Sequence, residues 1–204
     1  MKIGIINNKI GNIGSVYSAL QFYNYDILVI NAPTELAKVD ITILAGVGNF
    51  KAGAQTLRKL HFWEPLQKYV VEKKKPLIGL CLGMQLFADV SYENGESTGF
   101  GWIPGKVVRL DGKKARIPHI GWNRVDGNDR LVFKNLLYNN FYFMHSYHLI
   151  PHDKSLIIGT TQCGNETIVS GIKKKNIIGF QFHPEKSQGD GLRILKNAIE
   201  TLTC

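Results

Sequence analysis

Apolar residues along this chain come in short, nearly continuous runs, each set apart from the next by polar residues or by an apolar stripe at helical spacing. The runs at Lys2–Ile6, Asp26–Ile30, 41–44 and Leu77–Cys81 suit strands covered on both faces. Between the first two, Ile13, Val16, Tyr17 and Leu20 share one helical face, and Asn12 is placed to cap its start. Residues 52–60 and 63–72 predict two more helices ahead of the fourth strand. Leu192, Leu195, Ile199 and Leu202 predict a last amphipathic one. This alternation places the chain in the α/β class, with a mostly parallel sheet flanked by helices and ligand-binding loops at the carboxyl ends of its strands.

The second half changes character. Gly, Pro and Trp recur over 99–125, where 106–110 reads as a short strand and 117–123, carrying His119 and Trp122, as a loop. Residues 141–148 read as one aromatic strand. Stretches 156–162, 166–173 and 176–182 follow with no helix between them and predict consecutive antiparallel strands, the last pair joined by a lysine turn. With no repeat, linker or low-complexity segment, a single domain over 1–204 is expected.

The fourth strand stops at Gly79-Leu80-Cys81-Leu82-Gly83, which has the spacing of the Gly-x-Ser-x-Gly nucleophile elbow with sulfur in place of oxygen. In that motif a sharp strand-to-helix turn pushes the nucleophile out over the sheet, near backbone N–H groups at a helix start. Taken alone, Cys81 reads equally well as a small buried core residue. A thiol becomes a nucleophile when a histidine holds its proton and a carboxylate orients that histidine. His183 and Glu185 meet this need: they lie two apart where Pro184 ends the last strand, so a strand tip would put both on one side. Residues 45–50, after the third strand, form a glycine-rich loop whose amides can approach a ligand, making Val47, Gly48 and Leu82 the oxyanion candidates. Gln85, one turn beyond Cys81, can face the same cleft.

Composition narrows the class. Hydrophobic residues make up 44% and charged residues 20%, the balance of an ordinary folded chain. No apolar run approaches the roughly 18 residues that a membrane helix needs, and residues 1–9 do not resemble a secretory leader, so a cytoplasmic protein without a membrane partner is expected. Cys81, Cys163 and Cys204 are odd in number and unclustered, which suggests neither a disulfide framework nor a metal site. The net charge of +9 comes from scattered lysines and two short runs, 73–75 and 173–175, that read as a helix end and a hairpin turn. No nucleic-acid fold signature accompanies that charge, so no nucleic-acid partner is expected, although a basic face can collect an anionic substrate or acidic partner.

Gly79-Leu80-Cys81-Leu82-Gly83-Met84-Gln85 together with Gln181-Phe182-His183-Pro184-Glu185 resembles the signature pair of the class I (triad) glutamine amidotransferases. Gly11-Asn12, Gly46-Val47-Gly48, Ile117-Pro118-His119-Ile120-Gly121-Trp122-Asn123, His145-Ser146-Tyr147 and Pro184-Glu185-Lys186-Ser187 are similar to one branch, the glutaminase subunits of imidazole glycerol phosphate synthase. The resemblance implies a flavodoxin-like amidotransferase fold and glutamine hydrolysis through a glutamyl thioester at Cys81. It casts His183 as base and acid, Glu185 as its orienting group, and no cofactor. It further implies that Gln85, His145, Ser146 and Tyr147 hold the glutamine and that Gly48 lies in the oxyanion strand. Asn12, Trp122 and Lys186 would face a (β/α)-barrel cyclase, which in a heterodimer receives ammonia through a channel and uses it in histidine biosynthesis.

The chain departs from the branch pattern at Ala45, where proline is usual, at Asn7-Asn8, where an Asp-Tyr pair is frequent, and at Gly14, where a larger residue is common. These departures leave open a paralogous glutaminase that supplies ammonia for amidation of a surface-polysaccharide sugar. A partner-independent Cys-His amide hydrolase is a further reading, against which Trp122 and Lys186 weigh. The intact triad weighs against a non-catalytic interaction module.

Overall fold

The computed structural model describes residues 1–203; Cys204 lies outside them. The first half alternates strand and helix: β1 (Lys2–Ile6), α1 (Ile13–Gln21), β2 (Asp26–Ile30), β3 (Ile41–Gly46), α2 (Phe50–Lys59), α3 (Trp63–Gln67), β4 (Leu77–Cys81) and the short α4 (Leu82–Gln85). A π-helical turn over Lys68–Glu72 continues α3, so the expected helix over 63–72 is present as one rod with a widened second half. Strands dominate the second half: β5 (Val90–Ser91), β6 (Ser97–Thr98), β7 (Gly105–Arg109), β8 (His119–Arg124), β9 (Asp126–Gly127), β10 (Asn140–His145), β11 (Tyr147–Pro151), β12 (Ile157–Cys163), β13 (Glu166–Lys174) and β14 (Ile177–Phe180). The chain then forms α5 (Gln188–Thr203).

The main sheet runs β2-β1-β3-β4-β14-β13-β12-β9. Its first five strands are parallel and the rest antiparallel, the mixed arrangement expected from the sequence. Apart from Lys2, Asp26 and Thr42 the parallel strands are apolar, because alternate residues serve two cores. Ile43, Ile78 and Ile178 pack with Val16, Leu20, Ile194 and Leu195 on the α1/α5 face. Leu44, Leu77 and Ile177 pack with Phe50, Leu57 and Leu66 on the α2/α3 face. Burial of each such side chain is worth about 1.5–3 kcal/mol, so both faces hold the sheet in place.

Two expectations for the middle of the chain are corrected. Residues 119–124 are a strand rather than a loop, paired antiparallel with β10 from His119↔His145 to Arg124↔Asn140. Only its His119 is buried; Gly121 and Asn123 are half-buried on the same face, where they disguise the alternation, and Ile120, Trp122 and Arg124 are exposed on the other. Residues 141–148 do not form one strand: the ladder breaks at Ser146, with His145 paired to β8 and Tyr147 to Arg109 of β7. β11, β7, β5 and β6 make a separate four-stranded sheet beside the main one. Among the described residues no helix is long and apolar enough to cross a membrane.

Candidate active site

At the carboxyl end of β4 the chain turns sharply into α4, and Cys81 sits on the turn with φ 52° and ψ −107°, a conformation that side chains rarely adopt. Glycine is required beside it. A Cβ on Gly83 would lie 1.8 Å from the Leu44 carbonyl oxygen, so only a bare backbone lets α4 start against β3. Gly79 pairs with Gly179 across the β4–β14 ladder, and their missing side chains leave the floor on which Phe87 and Met84 rest. The elbow therefore holds Cys81 over the end of the sheet, buried but bordering a cleft.

His183 and Glu185 come together beside it, by a different route from the one expected. β14 ends at Phe180, and neither residue lies on a strand tip. The His183 N–H donates to the Tyr142 carbonyl at 2.8 Å, and Pro184–Lys186 then form a single 3-10 turn. The Ser187 hydroxyl clamps that turn by donating to the His183 carbonyl at 2.6 Å and accepting from the Tyr142 N–H at 2.9 Å. Within it, His183 Nδ1 lies 2.8 Å from Glu185 Oε1, and both side chains are nearly inaccessible to solvent. Burial alone would depress the His183 pKa, but the Cys81 sulfur and the Glu185 carboxylate outweigh it and raise it to about 10. An imidazolium beside a cysteine favours the thiolate. Nε2 has no hydrogen-bond partner among the described residues, which leaves it free to exchange a proton with the sulfur.

The cleft beside Cys81 has a volume of about 350 Å³ and is lined by Gly48, Gln85, His145, Ser146 and Tyr147, five residues singled out from the sequence. A larger cavity of about 590 Å³ opens at the far end of β4 and β14, lined by Lys74, Trp102 and Lys174. It holds no nucleophile or acid–base pair, so chemistry rather than volume selects the site. The Gln85 amide nitrogen donates to the Tyr147 carbonyl at 2.7 Å and to Gln181 Oε1 at 3.1 Å, leaving its oxygen as the free acceptor. His145 presents backbone rather than imidazole to a ligand, because Nδ1 is 2.9 Å from the Tyr147 carbonyl and Nε2 is 3.0 Å from His119 Nδ1. Sequence reasoning missed Glu93, a carboxylate on the cleft wall that accepts from the Phe50 N–H at 2.6 Å and is suited to an ammonium group. It lies between two-residue strands in a stretch without a motif, so only the folded chain brings it to the cleft.

Of the oxyanion candidates, Gly48 borders the cleft in a backbone conformation, φ 103°, that suits glycine. Leu82 opens α4, and its N–H has no acceptor within that helix. The Val47 N–H is occupied in this conformation, donating to the Ile10 carbonyl at 3.0 Å. Two of the departures from the branch pattern meet here: the Asn8 side-chain amide donates to the Ala45 carbonyl at 2.7 Å, and Asn8 Oδ1 accepts from the Ile10 N–H. Asn8 thus ties the first loop to the glycine loop from inside the chain.

The expected partner-facing residues cluster in part. Trp122 is 46% exposed and sits edge-on to Tyr142, with the Lys186 ammonium 5.9 Å from that Tyr142 ring. Asn12 is separate, capping α1 through the Ser15 N–H, though it lines a groove that also reaches Glu185. No group of three or more His, Cys, Asp or Glu side chains arranged to hold a metal occurs among the described residues.

Comparison with known proteins agrees with this geometry. The family description "Glutamine amidotransferase class-I" matches residues 5–201. The imidazole glycerol phosphate synthase subunit HisH of Pelagibacter ubique is 40% identical over 207 residues, covering 98% of this chain and 99% of its own. HisH of Pyrococcus furiosus is 40% identical over 201 residues, covering 96% and 97%. Among solved structures, a glutamine amidotransferase superposes with a TM-score of 0.78 over 99% of both chains at 15% identity. PurLQS from Thermotoga maritima superposes with 0.74 over 98% of both at 16% identity. These two neighbours speak to the fold, the sequence relatives to the family. The chain belongs to the class I glutamine amidotransferases and, within them, to the family of imidazole glycerol phosphate synthase HisH subunits.

Proposed function

We propose that this chain is the glutaminase subunit of an imidazole glycerol phosphate synthase, with Cys81 as nucleophile. The observation that carries this is an elbow cysteine at φ 52° facing a buried His183–Glu185 pair at the edge of a cleft. The Cys81 proton rests on His183 Nε2, and the thiolate attacks the carboxamide carbon of glutamine. Amides of Gly48 and Leu82 receive the developing oxyanion, with that of Val47 available once it leaves Ile10. Collapse of the tetrahedral intermediate breaks the C–N bond as His183 gives its proton to the departing ammonia, leaving a glutamyl thioester. Water then attacks the thioester, His183 takes its proton, and glutamate leaves as the sulfur returns to the thiolate beside the imidazolium. Gln85, Glu93 and the backbone of 145–147 hold the amino-acid end of the substrate.

The relatives are subunits of a synthase, which implies a partner subunit. We take the partner to be a (β/α)-barrel cyclase that uses the ammonia in histidine biosynthesis, docked over Trp122, Lys186 and Asn12. The whole chain acts as one amidotransferase domain. A reducing compartment such as the cytoplasm suits the free thiols of Cys81 and Cys163. Glutamine turnover by the purified chain is expected to be slow and to rise at least about tenfold when the cyclase and its ligand are added. Fast turnover indifferent to the cyclase would refute the subunit assignment.

A further inference from the structure

Gln181 is fully buried beside the nucleophile and has no part in the reaction set out above. Phe180 pairs with Leu80 across the parallel β14–β4 ladder, so the next residues, Gln181 and Cys81, stand side by side. Gln181 Nε2 lies 3.7 Å from Cys81 Sγ. The orientation of this amide is fixed from the outside. The Tyr147 carbonyl can only accept, so the Gln85 atom 2.7 Å from it is the amide nitrogen. That nitrogen also lies 3.1 Å from Gln181, whose facing atom is therefore the oxygen, and the Gln181 amino group is left toward the sulfur. Besides Gln181 and His183, the sulfur has the Met144 carbonyl at 3.9 Å, which can receive a thiol proton but repels a thiolate. Once the proton has moved to His183, Gln181 is the neutral donor that remains on the sulfur.

We propose that Gln181 is a positioning residue that holds the Cys81 thiolate through its Nε2–H and couples it, through Gln85, to the wall of the glutamine cleft. The proposal rests on Cys81 being the nucleophile. Glutamine entering the cleft meets Gln85, so one chain of amides sets both the substrate wall and the pose of the sulfur.

Gln181→Met keeps the buried volume while removing donor and acceptor. Gln181→Glu keeps the acceptor toward Gln85 and sets a carboxylate against the sulfur. The readouts are the pH dependence of Cys81 alkylation by iodoacetamide, followed on the Cys81 peptide by mass spectrometry, and the kinetics of the complex with the partner subunit. For Gln181→Met the alkylation midpoint is expected about one pH unit above wild type. Its kcat with glutamine should fall at least about tenfold and its KM should rise, because Gln85 loses its acceptor, with ammonia-driven turnover intact. For Gln181→Glu the midpoint should rise further, and glutamine turnover should recover partly at low pH, where the protonated carboxyl is again a donor. Unmoved midpoints with a raised KM would show that Gln181 only braces Gln85, and would overturn the proposal. If Gln181→Met does not fold, the Gln181→Glu measurements make the same decision. A Cys81→Ala complex that still turned over glutamine would remove the nucleophile assignment and this proposal together; with Cys81 required, the midpoints alone decide.

Discussion

His119, His145 and His148 are buried and held neutral, whereas His183, equally buried, is held protonated, and the difference lies in what each imidazole meets. His183 has Glu185 on one nitrogen and the Cys81 sulfur beyond the other. His145 donates from Nδ1 to the Tyr147 carbonyl and accepts at Nε2 from His119 Nδ1, whose Nε2 faces the Asn123 amide at 3.3 Å. A proton added to His145 would meet the His119 proton. Burial first, then His119, presses its pKa to about 3. The unfolded histidine titrates near 6.5, so between about 3 and 6.5 the unfolded chain binds the extra proton and stability falls as pH falls. His183 works in the opposite sense: its contribution is complete below about 6.5 and is lost as pH rises through about 10. In melting curves of the isolated chain, the stability of wild type relative to His145→Gln should therefore shrink from pH 6.5 toward 4 and stay constant from 7 to 9. Parallel curves through the acid range would show that His145 is not buried neutral.

At the scale of the element, the elbow is a steric device, and Gly83 inside it and Gly14 outside it should respond to a Cβ in opposite directions. Gly83→Ala drives a Cβ into the Leu44 carbonyl and should cost about 3 kcal/mol or more, since neither backbone can give way. Gly14→Ala, in α1, meets nothing closer than Asn12 Oδ1 at 3.7 Å and should stabilise by about 0.5–1 kcal/mol through helix propensity and a less flexible unfolded chain. Urea midpoints of the two variants, moving down and up respectively, would check both; an unmoved midpoint for Gly83→Ala would mean that the elbow relaxes. The elbow was legible in the sequence because its glycines are dictated by backbone approach, and the parallel strands because burial leaves Thr42 as their one polar residue beyond the opening Lys2 and Asp26. β8 was not, since its alternation has meaning only against β10. The break at Ser146 carries no glycine or proline to announce it. His183 and Glu185 were paired from a strand alternation that does not exist; the 3-10 turn clamped by Ser187 brings them together, and that clamp depends on β10 lying alongside. Glu93 and the amide chain from Gln85 to Gln181 join segments far apart in sequence and carry no local pattern.

Across the whole molecule the parallel strands bring three loops to one end of the sheet: the glycine loop after β3, the elbow after β4 and the histidine turn after β14. Beyond that turn lies an exposed apolar face where Trp122, Leu137 and Tyr138 line a groove with Ser187 and Asp190, at 46%, 81% and 76% exposure for the three apolar residues. An apolar face of this kind would suit the partner docking proposed above. Docking there would set a partner against the turn that carries the acid–base pair, and ammonia released at Cys81 would leave toward it. The two half-reactions then separate cleanly, because only the first needs the thiol. The direct measurement is product formation by the complex of Cys81→Ala with the cyclase, supplied in turn with glutamine and with ammonium salt. Loss of glutamine-dependent synthesis to background with ammonia-dependent synthesis at the wild-type rate is the predicted result; loss of both, or survival of the glutamine reaction, would contradict a glutaminase built on Cys81.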